Sequence, residues 1–136
     1  MDAALSALVR RRARGVCEYC LLPESVSAVP FEIDHIIAEK HGGLTKEDNL
    51  ALACFYCNSY KGPNIAGIDP VSGRIVRLYH PRKDRWGRHF RWEGALLVGW
   101  TATARATIAV LAINDTDAVT VRAALIDEGV FPPRRV

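Results

Sequence analysis

The spacing of apolar residues changes several times along this chain, and each change marks an element. Leu5, Leu8 and Val9 recur at helical spacing between Asp2 and Arg12, with arginines gathered at the C-terminal end, where they oppose the helix dipole. Phe31 to Ile37 is β-branched and predicts a strand. Gly42-Gly43 predicts a turn, and Leu50 to Ala53 a second strand that is apolar throughout. Thr45-x-x-Asp48 between them resembles a capping box that opens a short helical turn. A helix is expected from about Cys54 to Lys61, stopped by Gly62-Pro63. This half of the chain therefore predicts β-β-α.

The later pattern is different. Asp69 to Gly73 predicts a turn leading into an alternating strand, Arg74 to Tyr79. His89–Trp92 and Ala95–Trp100 predict a hairpin about Glu93-Gly94. Thr101 is placed to cap a helix to about Ile113, and Asp115 or Asp117 another to Glu128. The expected fold class is α+β, one domain over residues 1–136, with a core at 17–62 and an accessory β/α extension at 63–136.

One stretch does not fit its own pattern. Within the first strand, Asp34 and His35 interrupt Ile33, Ile36 and Ile37. An acid and an imidazole in a half-buried strand cost stability unless something pairs with them, so the pair marks a candidate site.

Charge adds a second asymmetry. The net charge is only +3, but residues 1–16 carry Arg10, Arg11, Arg12 and Arg14 against one acid, and residues 17–60 hold seven acids against two lysines. Eight basic residues then face Asp69 and Asp84 between Lys61 and Trp92. An acidic centre between basic arms suits cations in the middle and a polyanion across the flanks. Solvated surface is the plainer reading of the same runs. Arg82, Lys83, Arg85, Arg88 and Arg91, interleaved with Trp86 and Trp92, are candidates to grip backbone phosphate, although the tryptophans serve equally well as core. No apolar run is long enough to cross a bilayer. The N-terminus runs apolar first and basic second, the reverse of a secretory signal, so a soluble, cytoplasmic protein is expected.

The four cysteines form two C-x2-C knuckles, Cys17/Cys20 and Cys54/Cys57, with 33 residues between them. A single knuckle also fits a redox motif. Two knuckles with no cysteine left over favour a structural zinc, closed by four sulfurs and without an open position. On the helix after the second strand, Cys54 and Asn58 are i,i+4, as are Cys57 and Lys61. One short helix can therefore hold zinc on one side and present Asn58 and Lys61 to a neighbouring site. Asn58 and Asp34 offer hard oxygen donors that suit Mg²⁺ or Mn²⁺. His35 is the nearby group able to accept a proton near neutral pH. Strand alternation sends Asp34 and His35 to opposite faces, so a shared site requires the strand to end or twist at His35.

Taken in order, Cys17-x2-Cys20, Phe31-Glu-Ile-Asp-His-Ile36, Gly42-Gly43, Asn49-Leu50 and Cys54-x2-Cys57-Asn58-x2-Lys61-Gly62 resemble the HNH endonuclease family, the ββα-metal nucleases. The resemblance covers about a third of the chain. It implies a ββα core stapled by a four-cysteine zinc site, followed by a hairpin and helices. It also implies a catalytic divalent cation, Mg²⁺ or Mn²⁺, on Asp34 and Asn58, with His35 as general base. Asn49 would tie down the loop that orients His35, and Lys61 with nearby arginines would add charge at the developing oxyanion. The implied substrate is DNA, double-stranded, cut by phosphodiester hydrolysis. Ala38 departs from the family, many of whose members have proline after the Asp-His pair. The segment after Gly62 resembles the tail of many small bacterial HNH proteins.

Two other classes stand beside this reading. One is a zinc-stapled nucleic-acid-binding module that never cuts, and the other a structural protein that uses zinc only to fold. Residue by residue, Asn49 also reads as a turn residue, Asn58 as a surface amide and Lys61 as ordinary surface charge.

Overall fold

A computed structural model describes residues 1–133. Helix α1, Ala3–Ala13, begins where Asp2 accepts a hydrogen bond from the Leu5 N–H at 2.8 Å, and ends where Arg14 turns left-handed with φ 56°. The chain then makes the first knuckle and crosses to strand β1, Glu32–His35. Strand β2, Leu50–Ala53, pairs antiparallel with it, His35 opposite Leu50 and Glu32 opposite Ala53. Helix α2, Phe55–Lys61, follows at once with Cys54 as its N-cap. The ββα unit expected from the pattern is present.

β1 is shorter than the β-branched run that predicted it, and the reason is local. Ile36 N–H still donates to Asn49 O, but the Ile37 N–H donates to the side chain of Asn49 instead of a strand partner. A side chain thus replaces the ladder, and the chain leaves the sheet just past His35.

β2 is buried along its whole length. Its free edge is closed by side chains and by the knuckle: Arg12 Nη2 donates to Leu50 O at 2.7 Å, Leu52 N–H donates to Glu18 Oε2 at 2.8 Å, and Glu18 N–H donates to Leu52 O at 2.9 Å. An open strand edge is thereby paired from within the chain.

The extension holds two more hairpins. Strands β3, Ala66–Ile68, and β4, Ile75–Arg77, flank a turn held by Asp69, which accepts from the N–H groups of Val71 and Ser72 and from the Ser72 hydroxyl. A short helix α3, Trp86–His89, leads into β5, Phe90–Glu93, paired with β6, Leu96–Gly99. Helices α4, Ala102–Val110, and α5, Thr116–Asp127, close the chain. Strand β3 and helix α3 had no clear sequence signal; each is three or four residues long and takes its shape from its neighbours. Buried apolar side chains form one cluster running from Val9 through the ββα unit to Leu125 and Phe131. Trp86 belongs to it, and its Nε1–H donates to Tyr19 O at 2.9 Å. No helix among the described residues is long and apolar enough to cross a membrane.

Candidate active site and metal centre

The second knuckle sits where β2 meets α2, and the first is brought to it by the Glu18–Leu52 pairing. All four cysteines are buried, unbridged, and have their Sγ atoms within 4.8 Å of one another. Cys20 Sγ and Cys54 Sγ lie 3.8 Å apart. A tetrahedron with Zn–S arms of about 2.3 Å has edges of about 3.8 Å, so the spacing suits zinc. The N–H groups of Cys20 and Cys57 point at Cys17 Sγ and Cys54 Sγ, at 3.5 and 3.4 Å, within the wider reach of sulfur. Such crowded thiols cannot ionise independently. Hydrogen bonding from its neighbours, Cys17 first, holds Cys54 far below the usual thiol range, while the same contacts push Cys20 and Cys57 up. A divalent cation bound by all four removes that conflict.

The interrupted strand delivers Asp34 inward. Its carboxylate is 5% exposed and accepts from the Tyr19 hydroxyl at 2.7 Å and from Lys61 Nζ at 3.2 Å. Burial pushes the Asp34 carboxyl above its ordinary range, against the opposing pull of Lys61 and Tyr19. Burial and the adjacent carboxylate push the Tyr19 hydroxyl well up, so it remains a donor.

Lys61 is placed otherwise than expected. The sequence suggested a cation near a reacting phosphate, but Lys61 is 1% exposed. Its three donor directions are used by Asp34 Oδ1, His35 O at 3.1 Å and Ile36 O at 3.0 Å. Hence it fastens the end of β1 to α2 and balances a buried charge, and it does not face solvent.

His35 lies on the other side of the strand, as alternation requires. Its Nε2 is 2.9 Å from Thr45 Oγ1 and 3.6 Å from Glu39 Oε1, and the side chain is 21% exposed. The loop it leans on is clamped by Asn49, 8% exposed, whose Oδ1 accepts from Ile37 N–H while Nδ2 donates to Ile37 O and Leu44 O at 3.0 and 2.9 Å. Gly43 makes this clamp possible: a Cβ there would stand 1.7 Å from Ile37 O and 2.9 Å from Asn49 Nδ2.

Asn58 is half-buried one turn before Lys61 on α2, and its side-chain amide bonds to nothing among the described residues. Asp34 and Asn58 each offer a hard oxygen donor of the kind Mg²⁺ prefers. A carboxylate has about four lone-pair sites, so the bonds to Tyr19 and Lys61 do not exhaust the acceptor capacity of Asp34.

The basic segment is divided. Lys83, Arg85 and Arg88 are exposed. Arg82 is drawn in, 14% exposed, and bonded to Glu18. Arg91 lies 4.9 Å from the ring centre of Trp100 and 3.4 Å from Glu93.

Sequence reasoning missed Tyr19 and Glu18. Position between two ligands gave no signal, since Phe55 and Tyr56 occupy the same places in the second knuckle and are exposed.

The ββα unit thus carries a four-cysteine cluster that suits a metal, with Asp34 turned inward and His35 on the opposite face at the end of β1, and Asn58 on the helix that follows. The family model for HNH endonuclease matches residues 17–64, and this segment carries both cysteine pairs, whose clustering fits zinc knuckles. No curated protein and no solved structure matches the chain significantly.

Proposed function

We propose that this protein is a metal-dependent endonuclease that hydrolyses phosphodiester bonds of double-stranded DNA, acting as a single domain in which residues 63–136 support the HNH core. The observation that carries the reading is the placement of Asp34-His35 at the exit of β1, beside a helix whose Asn58 amide is unengaged and whose start is fixed by the cysteine cluster.

The residues divide the work. Asp34 and Asn58 would hold Mg²⁺ or Mn²⁺, which when bound supplies charge stabilisation at the phosphate and the leaving oxygen. His35 is the general base. Its Nε2 is held against Thr45 Oγ1, and in the tautomer that donates from Nε2 the Nδ1 lone pair would take a proton from the attacking water. Asn49 fixes the loop bearing Thr45, and so the ring's orientation. Lys61 is a positioning residue whose ammonium pairs with Asp34 and opposes the cost of burying its carboxylate. The cysteines hold a structural Zn²⁺ that sets where α2 begins and therefore where Asn58 stands.

One observation favours a second reading. Asp34 is buried and already paired with Lys61 and Tyr19, as expected if the pair is purely structural and the domain binds nucleic acid without cutting it. Supercoiled-plasmid cleavage by the zinc-loaded protein, with no added cation, Mg²⁺ or Mn²⁺, separates the two. Cation-dependent cutting that is lost in a folded, zinc-loaded His35→Ala variant supports the nuclease. Binding without cutting under any cation supports the module. Cutting that survives His35→Ala overturns the assignment of the base.

A further inference from the structure

On the outer side of β2, away from β1, a polar cleft of about 650 Å³ opens between the end of α1, the first knuckle and the segment around residues 79–87. Arg12, Arg14, Arg82 and Arg85 line it, against two acids, Glu18 and Asp84. Both acids are engaged. Glu18 is held by Arg82 and the Leu52 N–H, and Asp84 by Arg77, at 2.6 and 3.0 Å, and by the His80 N–H. Neither is free to neutralise the remaining cations.

Two features show that the cleft is short of an anion. Arg82 Nε is buried and has no acceptor among the described residues, and buried donors are rarely left unmet. The Arg82 guanidinium is pulled down to about 10, by burial first and by the nearby charge of Arg12 second. Arg14 and Arg85 are exposed, and no side-chain hydrogen bond or ion pair among the described residues occupies either. Arg14 is set at the cleft by the left-handed end of α1 and Arg85 by the start of α3.

We propose that this cleft binds the phosphate backbone of the nucleic acid, with Arg14 and Arg85 as its exposed contacts and Arg12 and Arg82 as fixed positive charge behind them. The proposal rests on the nuclease reading for the identity of the polyanion. Arg12 bonds to Leu50, the cross-strand partner of His35. The cleft and the candidate site are thus linked through Arg12 and the outer edge of β2. This sorts the basic residues: Arg82 and Arg85 belong to the cleft together with Arg12 and Arg14 of α1, whereas Lys83, Arg88 and Arg91 lie outside it.

The test uses the zinc-loaded full chain carrying His35→Ala, so that DNA stays intact, and follows binding of a labelled duplex by anisotropy across a salt series. Arg14→Ser with Arg85→Ser is compared with Lys83→Ser with Arg88→Ser, which removes the same charge outside the cleft. Melting temperature and zinc content are checked for both. The cleft pair is expected to lower affinity roughly ten- to a hundred-fold near 0.1 M salt, and to reduce the slope of log K against log salt by about 1.8, or 0.9 per lost phosphate contact. The outside pair should change the slope by less than half as much. Equal losses in the two pairs would mean a diffuse field and overturn the cleft. Unchanged binding in the cleft pair, with plasmid cleavage by the wild type intact, overturns the cleft and leaves the nuclease standing. A parent that does not bind duplex, together with a wild type that does not cut plasmid, overturns both.

Discussion

Replacing Lys61 with methionine keeps most of the side-chain volume and removes the charge. In the folded protein Lys61 is 1% and Asp34 5% exposed, and the ammonium lies 3.1 Å from Asp34 Oδ2. Without it, Asp34 retains only the Tyr19 hydroxyl, and the carbonyls of His35 and Ile36 lose the donor they share. Breaking a buried ion pair from one side costs about 3–5 kcal/mol. The two carbonyls are part of the same loss, so their separate value of about 1–3 kcal/mol each is not added in full. Against a total of roughly 5–15 kcal/mol for a domain, the change is large. The assay is urea denaturation at fixed excess zinc, with wild type, Lys61→Met, Asp34→Asn and the double variant measured side by side. Because the double variant has no charge to leave uncompensated, it should recover about 2 kcal/mol or more relative to Lys61→Met. A loss below about 1 kcal/mol for Lys61→Met refutes the buried-pair argument, as does a double variant that equals the sum of the singles.

Other outcomes follow from neighbouring geometry. Stripping zinc should expose four thiols to a colourimetric thiol reagent and unfold the ββα unit, since structural zinc contributes on the order of 10 kcal/mol in small zinc domains; a metal-free protein that melts unchanged removes zinc from the account. Gly43→Ala drives a Cβ into Ile37 O and should cost about 2–3 kcal/mol by breaking the Asn49 clamp. Gly42→Ala, with φ 87° but open space around it, should cost only about 1 kcal/mol, and a reversed order in thermal melts would show the clamp is misread. Tyr19→Phe keeps the buried ring and removes one donor to a charged acceptor, a loss of about 1.5–3 kcal/mol, and plasmid-nicking titrations should show a changed cation requirement. Asp69 is held well below the ordinary carboxylate range by Arg105 first and Ser72 second. A depressed folded value stabilises above the unfolded pKa of about 3.9 and is lost as pH falls through the folded one. Melting temperatures of wild type and Asp69→Asn should therefore converge in strong acid and separate above about pH 4.

Much of the site was legible in the chain because its logic is local. C-x2-C spacing aims two sulfurs at one ion without help from distant residues, and i,i+4 spacing fixes Asn58 relative to Cys54 and Lys61 relative to Cys57. Period, Gly62-Pro63 and the uniformly apolar Leu50–Ala53 run placed α2 and β2 to within a residue. The fate of Lys61 was not legible. A lysine at the end of a short helix usually reaches water, and only the packing of α2 on β1 turns it inward to the carboxylate of Asp34. The end of β1 was likewise undecided, because the β-branched run continues to Ile37 and the side chain that displaces the ladder comes from Asn49, twelve residues away. Arg12 and Arg82, seventy residues apart, share a cleft only because α1 and the segment before α3 pack against the same knuckle. Sequence determined those features set by short-range geometry, the ligand spacings and the element periods. Tertiary structure decided which charges were buried and which faced solvent, because that depends on what packs over each side chain, and no local pattern contains it.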